Sequence, residues 1–330
     1  VSALANSRDK FNLPRGLTPP GNQPRGTTEN HAMDNKISDH ESTTLENRFG
    51  LHDLQRFVER VMSQAILKAE SILPALSKWQ LLLGAIILSR TTLTRGARDR
   101  VLASMILMYH GLALHEKIVD TTTRQDKKGQ LTVLGGDYLS SLFYKLLAEA
   151  NRIDIIHRFS DAVSKINVAK ASLYTALNDG QLTDDQYISD VKTMHGALLR
   201  ALCNAFELDR SMEEFVEAAI SATVYKAELF DERDMESLSL AHVYLEQRAT
   251  EEELKNIDYM VLGQMNKDKR ITLLHAKYDT FTRIMQNFRD SMTALQHAAN
   301  DVMGREDWDQ LELVLDARIA SISASAMEQS

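Results

Sequence analysis

Polar and apolar positions follow one another with a helical beat through most of this chain. Val101, Met105, Met108, Leu112, His115 and Val119 fall at alternating steps of four and three. That spacing gathers side chains on one face of an α-helix and predicts a stripe turned toward a core. Leu139, Leu142, Phe143, Leu146 and Leu147 repeat the pattern, and Ile155, Ile156, Phe159, Val163 and Ile166 continue it. After Pro74 there is no proline. A proline inside a helix costs about 3 kcal/mol, so so long a proline-free stretch reads as all-helical. No alternating run bounded by Asn-Gly or Asp-Gly suggests a sheet. Helices are predicted near 44–72, 77–92, 96–120, 131–150, 153–177, 183–206 and 211–229, with others near 269–303 and 306–323. Breaks are expected around Gly129, at Asn151-Arg152 and at Asn178-Asp179-Gly180. Ser211 with Glu214, and Thr250 with Glu253, have the spacing of capping boxes.

Residues 1–42 break the pattern. Pro14, Pro19, Pro20 and Pro24 stand among Gly16, Gly21, Gly26 and many polar residues. Such a segment buries too little apolar surface to offset its ordering entropy. It is expected to be a disordered tail or a vector remnant, since the chain opens on Val and Met33 begins a more natural sequence. Residues 43–330 are expected to form a single helical-bundle domain, with 231–330 more polar and matched to no motif.

Composition narrows the classes. Hydrophobic residues make up 44% of the 330 and charged residues 25%, ordinary proportions for a soluble globular protein. A net charge of -8 argues against a nucleic-acid partner. The longest apolar run, Leu81 to Leu88, is far short of the roughly 18 residues of a membrane span. Cys203 is the one cysteine, which excludes an intrachain disulfide and suits the cytoplasm. Its apolar neighbours predict a small buried side chain.

The stretch with the most chemistry is HEKIVDTTTRQDKKGQLTVLGGDYLSSLFYKLL, His115 to Leu147. A helix ends in His115-Glu116-Lys117-Ile118-Val119-Asp120, a polar loop with Lys127, Lys128 and Gly129 is expected next, and a second helix carries Gly135-Gly136-Asp137-Tyr138-Leu139. Glu116 and Asp120, four apart, share a helix face, whereas Lys117 sets a cation between them. The glycines would let two helices approach closely, with Asp137 taking a buried hydrogen bond or a cap.

This order resembles the first metal motif of the trans-prenyl diphosphate synthases. In those enzymes a helix ends in His-Asp-Asp-x-x-Asp, an Arg-Arg-Gly turn follows, and the next helix carries Gly-Asp-Tyr-Leu. The resemblance implies an isoprenoid-synthase-like helical bundle, with Lys127 and Lys128 standing where paired arginines help hold a diphosphate. Lys117 takes the place of a central carboxylate. The family's second motif, Phe-Gln-x-x-Asp-Asp, would put aspartates at Leu229 and Phe230, both apolar, with Glu228, Asp231, Glu232 and Asp234 nearby off the required spacing.

A closer resemblance, over about 110–175, is to component 1 of the two-component heptaprenyl diphosphate synthases. It rests on QLTVLGGDY and on Ile166-Asn167-Val168-Ala169-Lys170. It implies an accessory subunit with no catalytic residue, no metal ligand and no cofactor of its own. The expected partner is a catalytic subunit carrying both aspartate-rich motifs and binding Mg2+. The heterodimer would extend farnesyl diphosphate with isopentenyl diphosphate to a heptaprenyl or hexaprenyl chain for menaquinone. Two other readings remain open: an active terpenoid synthase whose atypical metal site uses Glu116, Asp120 and acids from 228 to 234, and a helical interaction protein unrelated to prenyl transfer.

Overall fold

Every element of the computed structural model is a helix among the described residues, which are 45, 47–116, 127–230, 239–254, 269–303 and 305–316. In chain order they are α1 (Leu51–Met62), α2 (Ala65–Ala69), α3 (Lys78–Ser89), α4 (Arg95–Glu116), α5 (Lys127–Glu149), α6 (Asp154–Asn178) and α7 (Asp184–Ala205). There follow α8 (Arg210–Phe230), α9 (Leu240–Arg248), α10 (Glu251–Leu254), α11 (Lys269–Lys277), α12 (Thr280–Val302) and α13 (Arg305–Asp316). The expected tail, residues 1–42, lies outside the described residues.

The all-α expectation holds, and its departures have local causes. The helix expected over 44–72 is two, α1 and α2, separated at Ser63 and Gln64; the Gln64 side chain caps α2 by accepting from the Ile66 and Leu67 amides. The long helix expected over 269–303 breaks at Asp279, which takes a left-handed φ of 51°. Gly129 is no break: it is buried in the first turn of α5, which begins at Lys127. Asp209 caps α8 by accepting from the Met212 amide at 3.0 Å, in place of the expected Ser211–Glu214 box. The Thr250–Glu253 box does form, with the Thr250 amide donating to Glu253 Oε2 at 2.9 Å and the Glu253 amide to Thr250 Oγ1 at 3.4 Å.

The core runs along α4. Its predicted one-sided stripe understates it, because Val101, Leu102, Ala103, Ser104, Met105, Ile106, Leu107 and Met108 are all buried. A helix apolar on every side needs neighbours on every side, and α1, α3 and α5 supply them. α6 packs along α7, and α8 lies between α7 and α12. The C-terminal hundred residues, which carry no motif, therefore contribute wall: α9 packs on α7 and α12, and α12 on α8. Cys203 is buried as expected, and that burial, with Glu213 and Glu217 adding, pushes its thiol up to about 12.

α4 and α5 meet across glycines. A β-carbon on Gly111 would stand 3.0 Å from Ser140 Oγ and 3.3 Å from the Gly136 carbonyl oxygen. One on Gly136 would meet His115 Nε2 at 2.6 Å. Gly111→Val should therefore lower stability by roughly 1–3 kcal/mol through overpacking against backbone. Gly96→Ala, facing only the flexible end of Arg100, should be neutral or mildly stabilising; urea midpoints with the slope unchanged check both.

Glu253 gives a pH test. Lys277, the Thr250 amide and Tyr278 hold its carboxyl down at about 2, against an ordinary 4.5. Because the folded value is the lower one, this anchoring is present above pH 4.5 and lost as pH falls through about 2. The Thr250 amide resonance should titrate with a midpoint near 2.

Candidate functional site

The last turn of α4 delivers His115 and Glu116 to the same end of the bundle as the start of α5. His115 lies over Gly136, and its Nε2 stands 3.6 Å from Asp137 Oδ1. Asp137 is exposed, which corrects the expectation of a buried hydrogen bond: the glycine beside it is the packed residue. Gly135 is closed in by Ile72, Leu114 and Leu67, and the Tyr138 hydroxyl donates to the Val61 carbonyl at 3.4 Å. The Gly-Gly-Asp-Tyr segment thus joins α5 to α4 and α1.

Glu116 is paired with Lys170, which α6 brings across to it. Both side chains are mostly withdrawn from water, 30% and 18% exposed. A cation held this close in a partly desolvated setting neutralises the carboxylate where a metal would otherwise be its counter-charge. The pair forms part of the wall of a cavity of about 310 Å3 that Tyr109, His110, Ile166 and Met194 also line. The Tyr109 hydroxyl donates to the His195 carbonyl at 2.5 Å, tying α4 to α7 beside that cavity.

The end of α8 carries a buried carboxylate beside the position expected for the second motif. Glu228 is 8% exposed and uses both oxygens inside the protein. Oε1 accepts from the Tyr187 hydroxyl of α7 at 2.5 Å, and Oε2 from the Leu240 amide at the start of α9 at 2.9 Å. Ser239 caps the same helix by accepting from the His242 amide at 3.2 Å. Leu229, where an aspartate would stand in the motif, is half-buried against the core.

Lys127 and Lys128 are not in a loop. They occupy the exposed first turn of α5, and Lys127 donates to Glu70 at 2.5 Å. Lys117, Asp120, Asp231, Glu232 and Asp234 lie outside the described residues. Among the described residues no group of three or more His, Cys, Asp or Glu is placed to hold a metal ion, and no helix is long and apolar enough to cross a membrane.

Lys170 is part of the Ile-Asn-x-x-Lys pattern but was given no role from the sequence, and Tyr187 and the occupied state of Glu228 were not singled out. Lys170 had a signal, since it follows the buried Ile166 by four residues and so shares its inward face. Tyr187 had none, because its partner is 41 residues away.

A helical bundle of this order, with glycines joining the helices that flank a first-motif position, defines the polyprenyl synthase fold. A polyprenyl synthase from Caulobacter crescentus CB15, solved with calcium and isoprenyl diphosphate, is similar at a TM-score of 0.65 and 13% identity, over 84% of this chain and 96% of that one. One from Roseobacter denitrificans is similar at 0.63 and 16% identity, over 86% and 98%. The sequence is more specific than the fold: residues 67–268 match the family "Heptaprenyl diphosphate synthase (HEPPP synthase) subunit 1", and the chain belongs to that family. A curated relative, heptaprenyl diphosphate synthase component 1 of Geobacillus stearothermophilus, is 37% identical over 76 residues, which are 23% of this chain and 34% of that protein's length.

Removing one donor from a buried carboxylate should be costly. Tyr187→Phe is expected to destabilise the fold by about 1–3 kcal/mol, the range for stripping a hydrogen bond from a buried acceptor. Urea unfolding followed by circular dichroism measures it.

Proposed function

We propose that this chain is the accessory subunit of a two-chain long-chain trans-prenyl diphosphate synthase, and that it works without a metal site of its own. The observation that carries this reading is the pairing of Glu116 with Lys170. Magnesium takes a near-octahedral shell of oxygens and favours carboxylates free to coordinate it. Here the described carboxylate at the first position, Glu116, is neutralised by a lysine, the second motif's first aspartate position holds Leu229, and Glu228 beside it has both oxygens committed to Tyr187 and Leu240. This donor set does not fit the metal, and no step is routed through one in this chain.

The chemistry then belongs to a partner. A second chain with intact aspartate-rich motifs would hold Mg2+ on the departing diphosphate and join farnesyl diphosphate to isopentenyl diphosphate. The family supports the assignment to a synthase of the heptaprenyl type, and a long all-trans chain suits menaquinone formation. The role of the present chain is to retain the bundle so that it can stand beside its partner as one half of a heterodimer in the cytoplasm.

The test is prenyl transfer with farnesyl and isopentenyl diphosphates and magnesium. The chain is assayed alone and then mixed with the aspartate-rich subunit encoded in the same genome. Turnover should appear only with both chains present, and calorimetric titration of magnesium into this chain alone should give no binding heat. Turnover by the isolated chain would overturn the proposal and return attention to Glu116 and Asp120. Silence of two folded proteins together would favour a helical scaffold unrelated to prenyl transfer.

A further inference from the structure

A larger cavity lies at the opposite end of α4. From Glu116 back to Arg95 is the full length of a 22-residue helix, roughly 30 Å at about 1.5 Å per residue. The cavity holds about 610 Å3, within the range of about 300–1,000 Å3 usual for small-ligand sites. Four arginines line it, Arg48, Arg90, Arg95 and Arg98, against two carboxylates, Asp53 and Asp99. In a chain whose net charge is -8, so local an excess of cations stands out.

The arginines differ in what engages them. Arg48 is paired with Asp307, and Arg95 with Asp53 at 3.1 Å. Among the described residues Arg90 donates to a neutral acceptor, the Val302 carbonyl. Arg98 has its Nε buried with no acceptor among the described residues. Burial pushes the Asp99 carboxyl up from its ordinary value, and the neighbouring Arg95, Arg98 and Arg100 pull against that shift. Gly50 clears the way for the arginines: it takes a φ of +62°, and a β-carbon there would stand 2.8 Å from Arg95 Nη2.

We infer that the cavity between the starts of α1 and α4 and the ends of α3 and α12 is a binding site for a phosphate-bearing anion, with Arg90 and Arg98 as its principal contacts. Guanidinium forks match phosphate oxygens two at a time, and a buried unpaired Nε is satisfied by such an acceptor. The phosphate can belong to a soluble phosphate ester or to a lipid headgroup; the recognition chemistry is the same. This inference does not depend on the accessory-subunit reading, because it uses residues at the other end of the bundle and is read by binding instead of turnover.

The experiment is calorimetric titration of inorganic pyrophosphate into the full chain at low salt, with a parallel flotation arm using phosphatidylglycerol vesicles and phosphatidylcholine vesicles as the neutral control. Binding in either arm should weaken at least tenfold in Arg98→Gln and vanish in the Arg90→Gln/Arg98→Gln double variant. Arg98→Lys should keep part of it, and Lys165→Gln, an exposed charge on α6, should change nothing. Circular dichroism confirms that each variant is folded. Pyrophosphate binding names a soluble ligand, and vesicle binding alone names a headgroup; either supports the site. No binding in both arms at millimolar probe, binding indifferent to Arg98→Gln, an equal loss in Lys165→Gln, or citrate binding as well as pyrophosphate would overturn it.

Discussion

The run Val101 to Met108 in α4 has almost no contact with water on any side, and enclosing it dictates the arrangement of its neighbours. A helix of this kind cannot lie on a surface without exposing apolar area worth about 25 cal/mol per Å2. α1, α3 and α5 surround it directly, and the rest of the bundle packs outward from there. The α5 wall approaches closest, because Gly111 and Gly136 let backbone meet backbone where side chains would hold the helices apart. Both ends of α4 then become sites of concentrated charge, since only there does the buried helix reach the solvent.

Those two ends have different electrostatic character. At the Glu116 end the carboxylate is matched by Lys170, and at the neighbouring end of α8 a buried glutamate is absorbed into hydrogen bonds between helices. Both of these carboxylates, Glu116 and Glu228, are thus used for internal cohesion. The polyprenyl synthase bundle is kept, with Glu116 and Glu228 engaged inside it and Asp137 left exposed. At the Arg95 end the balance is reversed, with guanidinium groups outnumbering carboxylates.

The fold was legible because helical periodicity and the lack of proline act locally, and because QLTVLGGDY carries a family pattern. What escaped was decided across space or by single backbone angles. Gly129 looks like a loop residue, yet packing buries it inside α5. Asp279 offers no sign that it will take a left-handed conformation and split a long amphipathic stretch. α9 is short, and its helix depends on Ser239 and Glu228 capping its first amides. At the site, Lys117 between Glu116 and Asp120 could be read directly, whereas the neutralisation of Glu116 required knowing that α6 brings Lys170 to the end of α4.

The bond from Glu228 to the Leu240 amide has a mechanical consequence. It fastens the end of α8 to the beginning of α9 by a contact that does not involve the eight residues 231–238 between the described parts. The other oxygen of Glu228 accepts from Tyr187 of α7, so the same side chain reaches a third helix. One carboxylate therefore couples three helices, so that a change at Glu228 reaches α7, α8 and α9 together.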